Sequence, residues 1–206
     1  MSRFESPNHL DIRPLEPEDL PQLEAFRQEA WQEPLMTPEE VARRIDKLRE
    51  VTGREDRKTF IGTLDNEIVG ALSYYHDVVD LNKDPELEAA YERLVANPPS
   101  LGKTATFGHI FELAVHPDVR GNGYARQLAL AGLRTLRGDG ITLSKFHIGK
   151  HNQGRFATPE TLQEFGATTV RSGIRGIGEH SDLRRTLYIG KIDPSIDALE
   201  RRANAE

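Results

Sequence analysis

Read for the spacing of its apolar residues, the chain switches between a period of two and a period of three to four, which marks alternating strands and helices. Leu10-Asp-Ile-Arg-Pro-Leu15 alternates as a first strand, and its proline places that strand at a sheet edge. From Pro17 to Trp31, Leu20, Leu23, Phe26 and Trp31 recur on one helical face, behind a proline and an acidic first turn. Thr37-Pro38-Glu39-Glu40 combines a capping threonine, a first-turn proline and a glutamate three residues on. It predicts a second helix to about Arg49, with Val41, Ile45 and Leu48 turned inward. Thr59–Leu64 and Glu67–Tyr75 read as strands, with Asp65-Asn66 as the hairpin turn between them. Gly62 and Gly70 inside those strands mark bulges or close packing.

Residues 80–103 interrupt the alternation with a helical piece, Pro85 to Val95, stopped by Asn97-Pro98-Pro99. A long apolar strand from about Thr106 to Val115 follows. The next helix, Ala125 to Arg137, lines up Ala125, Leu128, Ala129, Leu133 and Leu136, and Gly138-Asp139-Gly140 ends it. Ile141–Ile148 is a further strand. Thr158-Pro159 opens a short capped helix that closes at Phe165-Gly166-Ala167. Strands are expected around Thr168–Ile174 and Leu183–Ile189, and a short polar helix in the tail, residues 191–206. With residues 1–8 as a loose arm, the pattern describes one α/β domain over residues 1–206.

Composition narrows the function classes. Hydrophobic residues make up 37% of the 206 positions, and the mean hydropathy is −0.57, which fits a chain with one ordinary core. No apolar run approaches the roughly 20 residues needed to span a bilayer, and the first residues lack the apolar stretch of a signal peptide, so a cytoplasmic protein is expected. Cysteine is absent, which excludes disulfides, thiolate metal sites and a cysteine acyl intermediate. A net charge of −6 argues against a general nucleic-acid partner. The basic residues Arg120, Arg126, Lys145, Lys150 and Arg155 nevertheless gather in one segment.

That segment holds Arg120-Gly121-Asn122-Gly123-Tyr124-Ala125, set between the strand ending at Val115, the turn His116-Pro117-Asp118 and a helix. Two glycines allow positive φ, and backbone N–H groups converging at a helix N-terminus make a nest for paired phosphates. No Lys-Ser/Thr follows, so this is not a Walker loop, and Arg126 stands where a dinucleotide fingerprint needs glycine.

With Leu113-Ala114-Val115 ahead of it and the arginine directly before the glycines, the stretch resembles the pyrophosphate signature, Arg-x-x-Gly-x-Gly/Ala, of the GNAT N-acetyltransferase superfamily. The resemblance implies a mixed, mostly antiparallel sheet of about six to seven strands flanked by helices and splayed between strands four and five. Here a helical insertion at residues 80–103 would separate strands three and four. It further implies acetyl-CoA, or another acyl-CoA, as co-substrate. The phosphates would sit on Arg120, Gly121, Asn122, Gly123, Tyr124 and Ala125, and the thioester arm along the backbone of Leu113, Ala114 and Val115. Phe146-x-Ile148-x-x-x-Asn152 resembles the family pattern whose asparagine helps hold the pantetheine, which implies Asn152 in that role. Trp31, Glu33 and Met36 are implied as acceptor contacts.

The implied reaction is direct acyl transfer to an amine of a small molecule or peptide, which needs a base to take the amine's proton. His109 lies six residues before Val115, where several family members carry a catalytic Glu or His, and an imidazole of ordinary pKa, about 6.5, suits the task. Glu112 lies three before Val115, and a carboxylate within that apolar run needs a reason to be there. On a regular strand the two point to opposite faces; a bulge brings both to one side. Leu162 stands where the family often has a tyrosine acid, so thiolate protonation would fall to Tyr188, to water, or to no group. No metal is expected, since the histidines offer no ligand spacing. A homodimer is left open. The alternatives are a transferase using a longer acyl-CoA or an aminoacyl-tRNA, and a silent acyl-CoA or partner-binding module that uses the insertion.

Overall fold

The computed structural model describes residues 9–30, 38–39, 42–43, 46, 56–95, 104–149, 158–174 and 185–204. The expected second helix falls largely outside them, Val41, Ile45 and Leu48 included. The described strands are β1 (Asp11–Pro14), β2 (Arg57–Leu64), β3 (Glu67–Asp80), β4 (Thr104–Val115), β5 (Leu143–Gly149), β6 (Ala167–Ile174) and β7 (Arg185–Lys191). The helices are α1 (Leu20–Ala30), α2 (Pro85–Leu94), α3 (Tyr124–Gly138), α4 (Pro159–Glu164) and α5 (Ile192–Asn204). The strands make one seven-stranded sheet in the order β1-β2-β3-β4-β5-β7-β6. Antiparallel pairs join β1 to β2, β2 to β3, β5 to β7 and β7 to β6, whereas β4 and β5 run parallel.

Local chemistry explains the element boundaries. Asp65 and Asn66 adopt φ of 50° and 66°, the left-handed pair that a two-residue hairpin requires. The β2–β3 register slips between Gly62 and Thr63, so Gly62 does mark a bulge. Gly70 marks close packing: a Cβ there would lie 2.6 Å from Leu128 Cδ1. Asp84 caps α2 by accepting from the Leu87 N–H, and Thr158 caps α4 by accepting from the Thr161 N–H.

The chain divides into two compact units, Met1–Tyr75 with Phe111–Gly132, and His76–Ile110 with Leu133–Glu206. In the first unit, Leu23, Phe26 and Ala30 of α1 pack on Ile61, Ile68, Ala71 and Ala114 of the sheet. Leu20, expected on that apolar face, is instead exposed, and Arg27 is buried there. In the second unit, Leu87 and Ala90 of α2 join Leu81, Ala105, Phe107, Leu143 and Ile189 in a common cluster. The helix within the insertion is therefore core. It is also tied to β6, since Arg171 pairs with Asp84 at 2.9 Å and Arg93 donates to the Thr169 carbonyl. The tail helix, expected to be polar, buries Ile192, Ser195, Ile196, Ala198 and Leu199. That spacing is an amphipathic helix signal already present in the sequence.

Candidate active site

β4 ends at Val115, and the chain then makes a single 3-10 turn, Pro117–Val119. His116 organises it. Its Nδ1 accepts from the Asp118 N–H, so Nε2 carries the proton and donates to Glu29 at 2.8 Å. Beyond the turn, Gly121 and Gly123 take φ of 93° and 75°, conformations that side chains with a Cβ rarely adopt. A Cβ on Gly121 would meet nothing within 4 Å, so the space beside the turn is open. Asn122 donates from Nδ2 to the Val119 carbonyl, and Gln127 N–H to the Gly123 carbonyl as α3 begins. The first turn of any α-helix presents N–H groups that no preceding carbonyl takes up, at the positive end of the helix dipole. Two left-handed glycines lead directly into this one.

Arg120 is used differently from a phosphate-contacting arginine. Its guanidinium donates from Nε to the Val115 carbonyl and from Nη2 to the Ala30 carbonyl, both at 3.1 Å. It thus ties the turn to the end of β4 and to the last residue of α1, and its charge still stands beside the nest. Tyr124 is buried, and that burial pushes its phenol pKa up, so it packs under the turn as a neutral group. Ala125 is exposed on the first turn of α3.

Among the described residues, the register of β4 with β5 runs from Gly108 opposite Ser144 to Ile110 opposite Phe146. β4 continues for five residues to Val115, and within that stretch Leu113 is 40% exposed between buried Glu112 and Ala114. Asn152, Trp31, Glu33 and Met36 lie outside the described residues.

β4 also carries an irregularity at its midpoint. Phe111 lies against Tyr75, ring centroids 5.9 Å apart, while Glu112 bonds to Ser73 at 2.7 Å. Tyr75 and Ser73 are alternate residues of β3 and share one face. Two adjacent β4 residues therefore reach the same face, which is the mark of a bulge. His109, two before Phe111, takes that side as well, and its Nδ1 lies 3.8 Å from Asp77, two beyond Tyr75. Asp77 also contacts the Lys145 ammonium, and the His109 and His147 rings lie 5.6 Å apart. His109 thus sits in a half-buried cluster of polar groups, its side chain 13% exposed.

Glu112 has a different environment. Its oxygens accept from Arg27 Nε at 2.8 Å, from Arg27 Nη2 at 2.5 Å and from the Ser73 hydroxyl. Ser73 in turn bonds to Thr59. Both Glu112 and Arg27 are 1% exposed. A carboxylate held this way accepts three hydrogen bonds and is shielded from solvent. The reason for a charge in that apolar run is Arg27, which sequence reading missed. The available signal was a charge four residues after Leu23 on the buried face of α1.

Removing one partner strands the other in the core. Arg27→Ala is expected to destabilise folding by about 3–5 kcal/mol, while Arg27→Met with Glu112→Leu recovers most of the loss. Urea denaturation of the three proteins checks this, and equal midpoints for Arg27→Ala and wild type would exclude a buried pair.

Of the other groups considered, Leu162 lies half-buried on α4. Tyr188 on β7 is buried and stacks on Phe146 at 5.7 Å. Burial, opposed by a hydrogen bond with Thr186, raises its phenol pKa, so it keeps its proton through neutral pH. Among the described residues no cluster of histidine and carboxylate side chains is placed to hold a metal ion, and no helix is long and apolar enough to cross a membrane.

A mixed sheet with one parallel pair, and a strand that runs from it into a glycine nest at a helix N-terminus, define a transferase of the GNAT type. The chain belongs to the acetyltransferase (GNAT) family, whose profile matches residues 20–158. A search of curated proteins gives no match. Solved structures share the fold at low identity. Arabidopsis thaliana NAA60 in complex with acetyl-CoA is 18% identical, with a TM-score of 0.61 over 90% of this chain and 99% of that one. The ribosomal-protein-S18-alanine N-acetyltransferase of Escherichia coli is 15% identical, with a TM-score of 0.57 over 89% and 94%. The PaiA N-acetyltransferase of Thermoplasma acidophilum in complex with coenzyme A is 13% identical, with a TM-score of 0.55 over 89% and 99%.

Proposed function

We propose that this protein is an N-acyltransferase that passes an acetyl group from acetyl-CoA directly to an amine of a small molecule or peptide. The observation that carries the reading is the turn at Gly121 and Gly123, held by hydrogen bonds of His116, Arg120 and Asn122. The diphosphate of the co-substrate is assigned to the N–H groups from Gly121 to Ala125. Its pantetheine arm is assigned to the backbone of Leu113, Ala114 and Val115 in β4, as an added strand would pair. That pairing also sets a peptide N–H against the thioester oxygen, where negative charge grows as the amine attacks.

The base in this reading is His109. It takes one proton from the acceptor ammonium, the freed amine nitrogen forms the new bond to the thioester carbon and gives up its second proton to solvent, and the thiolate leaves with the C–S electron pair. Asp77 and Lys145 flank His109 as an ion pair of their own and set the polarity around it. Glu112 is assigned a structural role, anchoring α1 through Arg27. The thiolate is protonated by solvent, because Leu162 has no proton to give and Tyr188 is packed against Phe146.

Leu162 favours one other reading, a silent module that binds acyl-CoA without turning it over. The coenzyme A species that co-purifies, identified by mass spectrometry, names the donor. Release of free thiol from acetyl-CoA, measured against a panel of amines, separates enzyme from module. Amine-dependent release is expected. Tight binding with no release across the panel would establish the silent reading, and no binding would remove the site itself.

A further inference from the structure

Arg57 opens β2 opposite Tyr75 of β3. Tyr75 shares its face of β3 with Ser73, hence with the Arg27–Glu112 pair. The Arg57 guanidinium carbon lies 4.0 Å from the Tyr75 ring centroid and 5.1 Å from that of Phe111. The two ring centroids are 5.9 Å apart, so the rings lie on adjacent sides of the cation, attract it through their quadrupoles, and leave its opposite side uncovered by either ring. Arg57 Nε is buried and has no hydrogen-bond partner among the described residues. No described carboxylate pairs with Arg57 either, whereas the neighbouring buried cation, Arg27, is neutralised by Glu112. A desolvated donor without an acceptor is costly, and an anion reaching Arg57 would supply the acceptor that Nε lacks.

We infer that Arg57, beside Tyr75 and Phe111, is a recognition subsite for a carboxylate on the acceptor, so that the amine acetylated by this protein carries a carboxyl group. The inference rests on the N-acyltransferase reading above. The planar guanidinium matches a carboxylate with two parallel hydrogen bonds. One cation balances one negative charge, which suits a carboxylate better than a phosphate dianion. The location fits an acceptor: Phe111 precedes exposed Leu113 by two residues on the strand assigned to the thioester arm. The carboxylate comes either from a free amino acid or from an acidic side chain near a peptide N-terminus.

Matched acceptors test this: amino acids against their carboxamides, and peptides with Asp against Asn at the second position. Wild type is expected to favour the carboxylate member of one pair set by about tenfold or more in kcat/KM, the range of a charge-assisted hydrogen bond. The set that shows the preference names the source. Arg57→Gln is expected to erase the preference through KM, with kcat and the KM for acetyl-CoA retained. Arg57→Lys, which keeps the charge without the fork, is expected to keep part of it. No preference in wild type, or an undiminished one in Arg57→Gln, overturns the subsite. A second measurement needs no turnover. The Arg57 Nε–H NMR cross-peak, identified by its loss in Arg57→Gln, is expected to shift on titration with N-acetyl amino acids and not with their carboxamides. If no amine is acetylated but this peak shifts selectively, the transferase reading fails and the carboxylate site stands; if amines are acetylated and the peak responds equally to both probes, the reverse holds.

Discussion

Gly123→Glu is expected to abolish binding of coenzyme A, lowering affinity by at least about a thousandfold. Two effects add. Gly123 has φ of 75°, and holding a residue with a Cβ in the left-handed region costs about 1–2 kcal/mol. The glutamate also carries a negative charge into a nest assigned to a diphosphate. At roughly 4 Å and an effective dielectric constant of about 20, one such pair of like charges repels by about 4 kcal/mol, and each 1.4 kcal/mol is about a factor of ten. Gly123→Ala separates the two contributions: it bears the strain alone and is expected to bind coenzyme A about tenfold more weakly. Calorimetric titration with coenzyme A measures both variants, and their thermal unfolding shows whether the fold is kept. Wild-type affinity in Gly123→Glu would place the diphosphate elsewhere.

His109→Gln is expected to lower kcat/KM for acetyl transfer by about 10²–10⁴, the range of a positioned general base, while leaving coenzyme A affinity unchanged. Added imidazole is expected to restore part of the loss. If His109→Gln kept full turnover and Glu112→Gln, still folded, lost it, the buried carboxylate would be the base after all.

The two histidines on either side of the reactive stretch illustrate how differently site residues can be read from sequence. His109 is a candidate through the family resemblance, from its place six residues before Val115. His116 was read only as part of a turn, yet it accepts from the Asp118 N–H, donates to Glu29 and so shapes the approach to Gly121. The glycine-rich turn was legible because its requirements are local: positive φ at Gly121 and Gly123, a helix start after them, a strand before them. The hairpin at Asp65-Asn66 and the caps at Asp84 and Thr158 belong to the same kind, since each is decided within a few residues. The amphipathic spacing of Ile192, Ile196 and Leu199 was equally local, and reading that tail as polar overlooked it.

What the sequence by itself determined, then, is the order of strands and helices, the glycine-rich turn and the class of transferase that carries it. Tertiary structure alone decided what the charged side chains near that turn do. Arg27 and Glu112 are 85 residues apart in the chain, and nothing local says that each is the other's counter-ion. The bulge between Phe111 and Glu112 is defined only by what β3 places opposite them, and it turns His109, Phe111 and Glu112 toward one side. Backbone conformation obeys short-range sterics that the sequence spells out. The fate of a buried charge depends on which partner the fold brings within 3 Å, and that is set by the packing of elements far apart in the chain.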